Sequence, residues 1–244
     1  MATVPATRRR APVPDDDTPW DDLDRCSIDI PARAHTLEGF VAWATSEGFP
    51  ERARACFIDG EILIDMSPEE LLTHVVVKME ICRVLLTLNR QWKRGRLFGD
   101  GTLITNKAVK LSTEPDGTFL TRETLRTKRA RLVPRKGEPG QSMEIRGVPD
   151  WVLEVVSKYS VMKDKVKLWK AYHRARIAEY WLVDAREDDV VFQILHWHRK
   201  QYEAAPQKDG WQQSRVFGHA FRLDREKDDL GLWDYTLHVR SEND

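Results

Sequence analysis

Long apolar runs are missing from this sequence. No stretch is both long and apolar enough to cross a bilayer as a helix, which excludes a membrane-spanning segment as its organising feature. Cysteine is scarce: Cys26, Cys56 and Cys82 are odd in number and scattered, with no CxxC spacing and no neighbouring His pair. Neither a disulfide framework nor a structural zinc site follows from them. Net charge is lacking too. Lys plus Arg and Asp plus Glu number 39 each, so no whole-molecule field draws in a polyanion, and any nucleic-acid surface must be local. The first residues carry Arg8, Arg9 and Arg10, then Pro12, Pro14 and Asp15, where a secretory signal would need an apolar run. These absences predict a reduced, cytoplasmic protein with no membrane partner. GxSxG, HExxH and P-loop patterns are also absent, so hydrolysis through those motifs has no support.

What is present suits a packed domain. Nine tryptophans and 41% hydrophobic residues in 244 can fill one core, under a surface made ionic by 32% charged residues. Residues 1–22 mix Pro, Arg and Asp without hydrophobic period and predict a disordered tail; residues 23–238 predict a single domain, and 239–244 a second tail. Thr36 can cap a short helix through Leu37, Phe40 and Trp43. Asp59-Gly60, between Cys56-Phe57-Ile58 and Glu61-Ile62-Leu63-Ile64, predicts a hairpin. Ser67-Pro68 predicts the start of a long helix carrying Leu71, Leu72, Val75, Met79, Cys82, Leu85 and Leu86 at helical spacing. From Arg122 to Val148 eight Lys/Arg face three Glu, a run that could contact phosphates or simply be a solvated face. Trp151 to Val156 reads as a buried strand, Ser160 to Arg176 as a helix, and Glu179 to Asp184 as a second strand. That order predicts a crossover in an α/β fold with a central mixed sheet. Alternation from Val190 to Leu223 predicts antiparallel strands closing that sheet.

Glu154 interrupts the apolar strand. A lone ionised carboxylate in a core costs several kcal/mol or more, so it needs a cation, a proton or water. The bland alternative is a strand-end carboxylate paired with Arg146 or exposed at a sheet edge. Asp116 is the natural partner, because it opens the run Thr118-Phe119-Leu120 that could pair beside Glu154; on residue pattern alone, Pro-Asp-Gly favours a turn residue instead. Two carboxylates on neighbouring strands form an oxygen-lined site suited to Mg²⁺ or Mn²⁺. Such an ion polarises a phosphoryl oxygen, lowers the pKa of bound water and neutralises a departing phosphate, roles that phosphodiester hydrolysis requires. A nearby Lys would orient the attacking water. His74, among apolar residues at helical spacing, reads as a packed histidine, with an accessory site role as the alternative. His196 and His198 make a weak metal case and read as a surface pair; Tyr180 and Trp181 read as core.

Glu114-Pro115-Asp116, Pro149-Asp150-Trp151-Val152-Leu153-Glu154-Val155-Val156-Ser157, the helix with Asp164 and Tyr172, and Ile177-Ala178-Glu179-Tyr180-Trp181-Leu182-Val183-Asp184 together resemble the Uma2-like family of restriction endonucleases (DUF820). The similarity runs from about Phe57 to Leu195 and takes in the Asp59-Gly60-Glu61 hairpin, Ser67-Pro68 and His74. It implies a restriction-endonuclease-like, PD-(D/E)XK fold, a central mixed sheet flanked by helices, with Asp116 and Glu154 as metal-binding carboxylates. Asp150 reads as a strand-start residue. The lysine departs from the pattern: Val156 stands two after Glu154, and Leu168 stands where the family carries a helical Lys. Projecting residues 160–176 at about 100° per residue puts Lys165 amid Val161, Leu168, Trp169, Tyr172 and Ala175, with Lys163 on the opposite, basic arc. Lys165 is therefore the first choice for the water-positioning cation and Lys163 the second. The expected activity is metal-dependent endonucleolytic cleavage of nucleic acid, with DNA as the substrate. The competing expectation is an inactive scaffold that binds nucleic acid or a protein. Cutting two strands with one site each would favour a homodimer.

Overall fold

The Asp59-Gly60 pair turns as its chemistry predicts. Both residues have positive φ, 54° and 91°, and the hairpin joins Arg54–Ile58 to Glu61–Asp65 in register from Ile58↔Glu61 to Arg54↔Asp65. The computed structural model describes residues 28–50, 53–135 and 137–241. The tail read over residues 1–22 lies outside them. Residues from Pro31 onward form one unit, and its last strand, Trp233–Arg240, runs two residues into the segment read as a tail from 239.

That unit is built on a six-stranded mixed sheet ordered Tyr202–Ala204, Val191–Trp197, Glu179–Asp184, Trp151–Val155, Gly117–Thr121, Gly95–Phe98. Its parallel pair, Trp151–Val155 beside Glu179–Asp184, is bridged by a helix over residues 161–175, the crossover the sequence predicts. Both faces are covered, so the central strands read as continuous apolar runs. Trp151, Leu153, Val155, Trp181 and Val183 point to one face, where Val77, Ile81 and Leu85 of a long helix and Phe217, Phe221 and Leu237 pack on them. Val152, Val156, Tyr180 and Leu182 point to the other, against Leu168, Ala171 and Tyr172 of the crossover helix and Ile58, Ile104 and Leu111. Glu154 lies in the middle of this second face.

Two further sheets flank the central one. The hairpin joins Leu111–Thr113, Ile104–Asn106, Glu138–Gly147 and Ala130–Arg135 in a second six-stranded sheet, so the basic run from Arg122 becomes a short helix, Arg122–Thr127, and a β-ribbon. The strands expected to close the central sheet divide. Val191–Trp197 and Tyr202–Ala204 do extend it, but Trp211–Ser214, His219–Lys227 and Trp233–Arg240 belong to a separate four-stranded antiparallel sheet.

Glu179 locks that third sheet to the central one. It is fully buried; Oε1 accepts from Trp181 Nε1 at 2.7 Å and Ser214 Oγ at 2.6 Å, and Oε2 from the backbone N–H groups of Arg215 at 2.8 Å and Val216 at 3.2 Å. His196 Nε2 stands 3.5 Å from Oε2, so His196 is buried beside a carboxylate while His198 is half-buried; the two do not form a surface pair. Glu179→Gln replaces Oε2 with a donor facing two N–H groups, and at roughly 1 kcal/mol or more per unmet donor the expected loss is about 2 kcal/mol. Urea unfolding checks this, and an unchanged midpoint would remove the hub.

The long helix departs from its predicted start and face. Ser67 N–H and Oγ both turn back to Asp65 Oδ1, which leaves capping to Glu70, whose carboxylate accepts from Thr73 N–H. The helix then begins at Leu71 with a π-helical turn, Leu71–Val75, ahead of Val76–Trp92. The buried stripe is His74, Val77, Lys78, Ile81, Val84 and Leu85, while Leu71, Met79 and Leu86 are exposed. Two polar residues thus occupy the face packed inward. Thr36 caps Leu37–Ala44 as expected, accepting from Gly39 N–H at 3.1 Å.

Candidate functional site

Asp116 stands where the chain passes from the second sheet to the central one, between Leu111–Thr113 and Gly117–Thr121. Gly117 pairs with Leu153, so antiparallel register sets Asp116 opposite Glu154, and side chains of opposed residues share a face. Gly117 is needed for close approach: a Cβ there would meet the Trp151 ring at 2.9 Å. Pro-Asp-Gly is therefore a strand entry and not a tight turn. Asp116 Oδ2 accepts from Val155 N–H at 2.7 Å, which fixes the carboxylate against Glu154's strand.

Glu154 is 2% exposed and lies inside the sheet, neither at an edge nor paired with Arg146, which binds Glu144 instead. Tyr172 O–H donates to Glu154 Oε1. Burial holds the Glu154 carboxyl well above its ordinary pKa, against the opposing pull of the Lys163 ammonium. Asp164, 1% exposed, is raised to about 6, chiefly by burial; Lys163 counters this in part, and neither Asp164 oxygen makes an aligned hydrogen bond. Lys163 Nζ stands 3.2 Å from Asp164 Oδ1. Burial would lower the Lys163 pKa, but Glu154 and Asp164 outweigh it and keep the ammonium charged.

These groups line one cleft of about 400 Å³, which the hairpin, the segment around Glu69 and His74, the Glu114–Asp116 crossing and the crossover helix enclose. Asp116, Glu154, Lys163 and His74 all reach it; Lys165 does not. Lys165 turns away to pair with Asp184, which Arg186 also holds, so of the two lysines it is Lys163, the second choice from the sequence, that faces the cleft. The cause is helical geometry. Lys163–Leu168 is π-helical, with i→i+5 bonding, and a projection at the α-helical angle assigns its side chains to the wrong sides. Leu168, at the family's Lys position, is buried in the core.

Asp150 stays out of the cleft chemistry. Its oxygens accept from Thr121 N–H at 2.7 Å and Thr124 Oγ1 at 2.9 Å, and Arg129 pairs with it, so it anchors the strand start as expected.

Beyond the residues given a site role from the sequence, the cleft gathers Glu69, Asp100, Glu114 and Asp164, with Lys78 behind them. Burial pushes Glu114 up to about 7, with Asp100 adding to the shift. Glu69, His74 and Asp116 present ligand atoms within 4.8 Å of one another, a spacing that can hold a metal ion. His74 is buried, with Nδ1 3.4 Å from Glu69 Oε2 and Nε2 3.7 Å from Asp116 Oδ2. One available signal was the interruption of an inward stripe: His74 and Lys78, at i and i+4, share the face of Ile81 and Leu85. Glu69 and Asp100 carry no such mark, since both lie in turn-like segments.

In all, seven carboxyl groups line the cleft (Asp65, Glu69, Asp100, Glu114, Asp116, Glu154, Asp164) against three cationic side chains, Arg54, Lys163 and Lys167. Burial holds Glu154, Glu114 and Asp164 toward their neutral forms, and a bound cation would draw them toward ionisation. The cleft's oxygen-rich donor set, with one imidazole, fits a hard divalent ion. No helix among the described residues is long and apolar enough to cross a membrane.

A family model named Uma2, described as "Putative restriction endonuclease", matches residues 37–226. Among solved structures, the fold is similar to a "putative nuclease belonging to DUF820" from Anabaena variabilis, with a TM-score of 0.55 and 18% identity over 75% of this chain and 90% of that one. No curated protein matches.

Proposed function

The chain belongs to the Uma2 family, and from that premise we propose that it is a divalent-metal-dependent endonuclease that hydrolyses phosphodiester bonds in DNA. One observation carries the reading: Asp116 and Glu154, buried and opposed on neighbouring strands, share a cleft with a charged Lys163 and an excess of carboxylates. The site would take Mg²⁺ or Mn²⁺ through Asp116 and Glu154, with His74 within reach as an accessory group. When bound, such an ion polarises the phosphoryl oxygen and offsets charge on the leaving group.

The chain's own residues prepare that chemistry. Val155 N–H and Tyr172 O–H hold one oxygen each of Asp116 and Glu154, so both carboxylates enter the reaction already oriented. Lys163 is the water-positioning cation in this reading. Its ammonium faces the same cleft, and in a buried setting it would stabilise negative charge developing on the phosphoryl oxygens more strongly than it would in water. The hydrophobic floor beneath, with Tyr172 and Tyr180 fully buried, keeps bulk water off the ligand oxygens. We place the protein in the cytoplasm, on the free Cys56 and Cys82 thiols, and as a homodimer when it cuts both strands.

The test is cleavage of supercoiled plasmid and of single-stranded DNA with Mg²⁺ or Mn²⁺, with and without EDTA. Cleavage that needs the ion is expected. Binding without cleavage on every substrate would favour the inactive scaffold, a reading that rests on Val156 and Leu168 at positions where a nuclease lysine is expected.

A further inference from the structure

Lys78 is an unusual residue to find on the buried face of a helix. It is 7% exposed, yet its ammonium is ringed by carboxylates of three residues. Its Nζ is 3.0 Å from each Glu69 oxygen, 2.7 Å from Asp100 Oδ2 and 3.4 Å from Asp116 Oδ1. Arg54 also pairs with Glu69. The same carboxylates, Glu69 and Asp116, belong to the triangle with His74 whose ligand atoms lie within 4.8 Å of one another. Donors held about 2.0 to 2.6 Å from a single ion lie no more than about 5 Å apart, so the triangle has the dimensions of a metal site. A second observation points the same way: His74 Nδ1 is buried and has no hydrogen-bond partner.

We propose that Lys78 is a tethered cation in the place of a second divalent ion, so that the wild-type protein loads one ion and a variant without the ammonium loads two. The inference rests on the metal reading above and adds to it the occupancy of the neighbouring position. An ammonium among Glu69, Asp100 and Asp116 repels a divalent ion placed on the same oxygens, and at these separations the repulsion is large. Being covalently attached, the ammonium needs no free ion to fill the position. It also engages Asp116 Oδ1 from the side of Glu69, so that Asp116 can serve the ion shared with Glu154 while remaining partly neutralised. With the ammonium gone, Asp116 loses its lysine partner and Glu69 keeps only Arg54, on Oε1.

The experiment is Mn²⁺ stoichiometry by equilibrium dialysis, with electron paramagnetic resonance reporting whether bound ions are magnetically coupled. It compares the wild type with Lys78→Met, which keeps the apolar stem, and Lys78→Gln. One ion in the wild type and two coupled ions in both variants is the expected result. Adding Glu69→Gln to Lys78→Met should return the count to one. Two ions in the wild type, or one in all three proteins, overturns the proposal while leaving the metal reading intact. A wild type that takes up no Mn²⁺ overturns the metal reading and the inference with it. Should Lys78→Met fail to fold, Lys78→Gln and the wild-type count still decide.

Discussion

Glu154→Gln is expected to reduce metal-dependent DNA cleavage by a factor on the order of 10³ or more, with no loss of fold. The amide keeps the volume and shape of the carboxylate and can still accept from Tyr172 O–H, but it removes the negative charge a divalent ion needs. A bound ion contributes several kcal/mol of transition-state stabilisation, and each ~1.4 kcal/mol is tenfold in rate. Stability should hold or rise, because the substitution removes a carboxyl whose ionised form burial disfavours so strongly. Lys163 retains Asp164 as a partner. Thermal melting beside plasmid cleavage under saturating Mn²⁺ checks both halves. Unchanged cleavage at an equal melting temperature would remove Glu154 from the site, whereas loss of cleavage with a collapsed melting temperature would make it a folding residue.

What the sequence made legible follows from which interactions are local. Asp59-Gly60 sets its own turn, Thr36 its own cap, and the parallel pair announces itself because strands covered on both faces must be apolar throughout. Glu154 was visible for the same reason: an ionisable group in such a run contradicts its neighbours unless something else satisfies it. The resemblance supplied Asp116, which residue pattern alone favours as a turn residue until its strand is set against Glu154's.

The remainder was hidden because it depends on phase or on distance along the chain. A π-helical turn changes the rotation per residue, and nothing in Lys163–Leu168 marks one by composition; the same device at Leu71–Val75 precedes a helix that buries His74 and Lys78 where Leu71 and Met79 were expected. Asp100 and Asp116 are 22 and 38 residues from Lys78 and meet it only in the folded chain. The third sheet docks through Glu179, a residue that looks like an ordinary strand opener. Its role depends on Ser214 and the backbone beyond it, more than 30 residues away.

The two lysines turn that geometric difference into a measurement. Lys163→Ala is expected to lower the cleavage rate by about 10²-fold or more, the scale of removing one preorganised group that stabilises transition-state charge. Lys165→Ala should leave the rate within about twofold, since a surface ion pair contributes at most about 1 kcal/mol to stability and nothing to the cleft. Lys165 still serves Asp184, whose carboxyl is held down at about 2 although burial would raise it, because Arg186 and Lys165 donate to it. The Lys165 variant should therefore show its effect in acid. Asp184's ionised form stabilises the fold above its ordinary pKa, and that contribution is lost as pH falls through the native value; weakening the pair brings the loss to higher pH. Cleavage rates at saturating Mn²⁺ separate the two roles. A rate that collapses with Lys165→Ala and survives Lys163→Ala would mean that the π-helical turn unwinds when substrate binds. The α-helical projection that favours Lys165 would then describe the working enzyme.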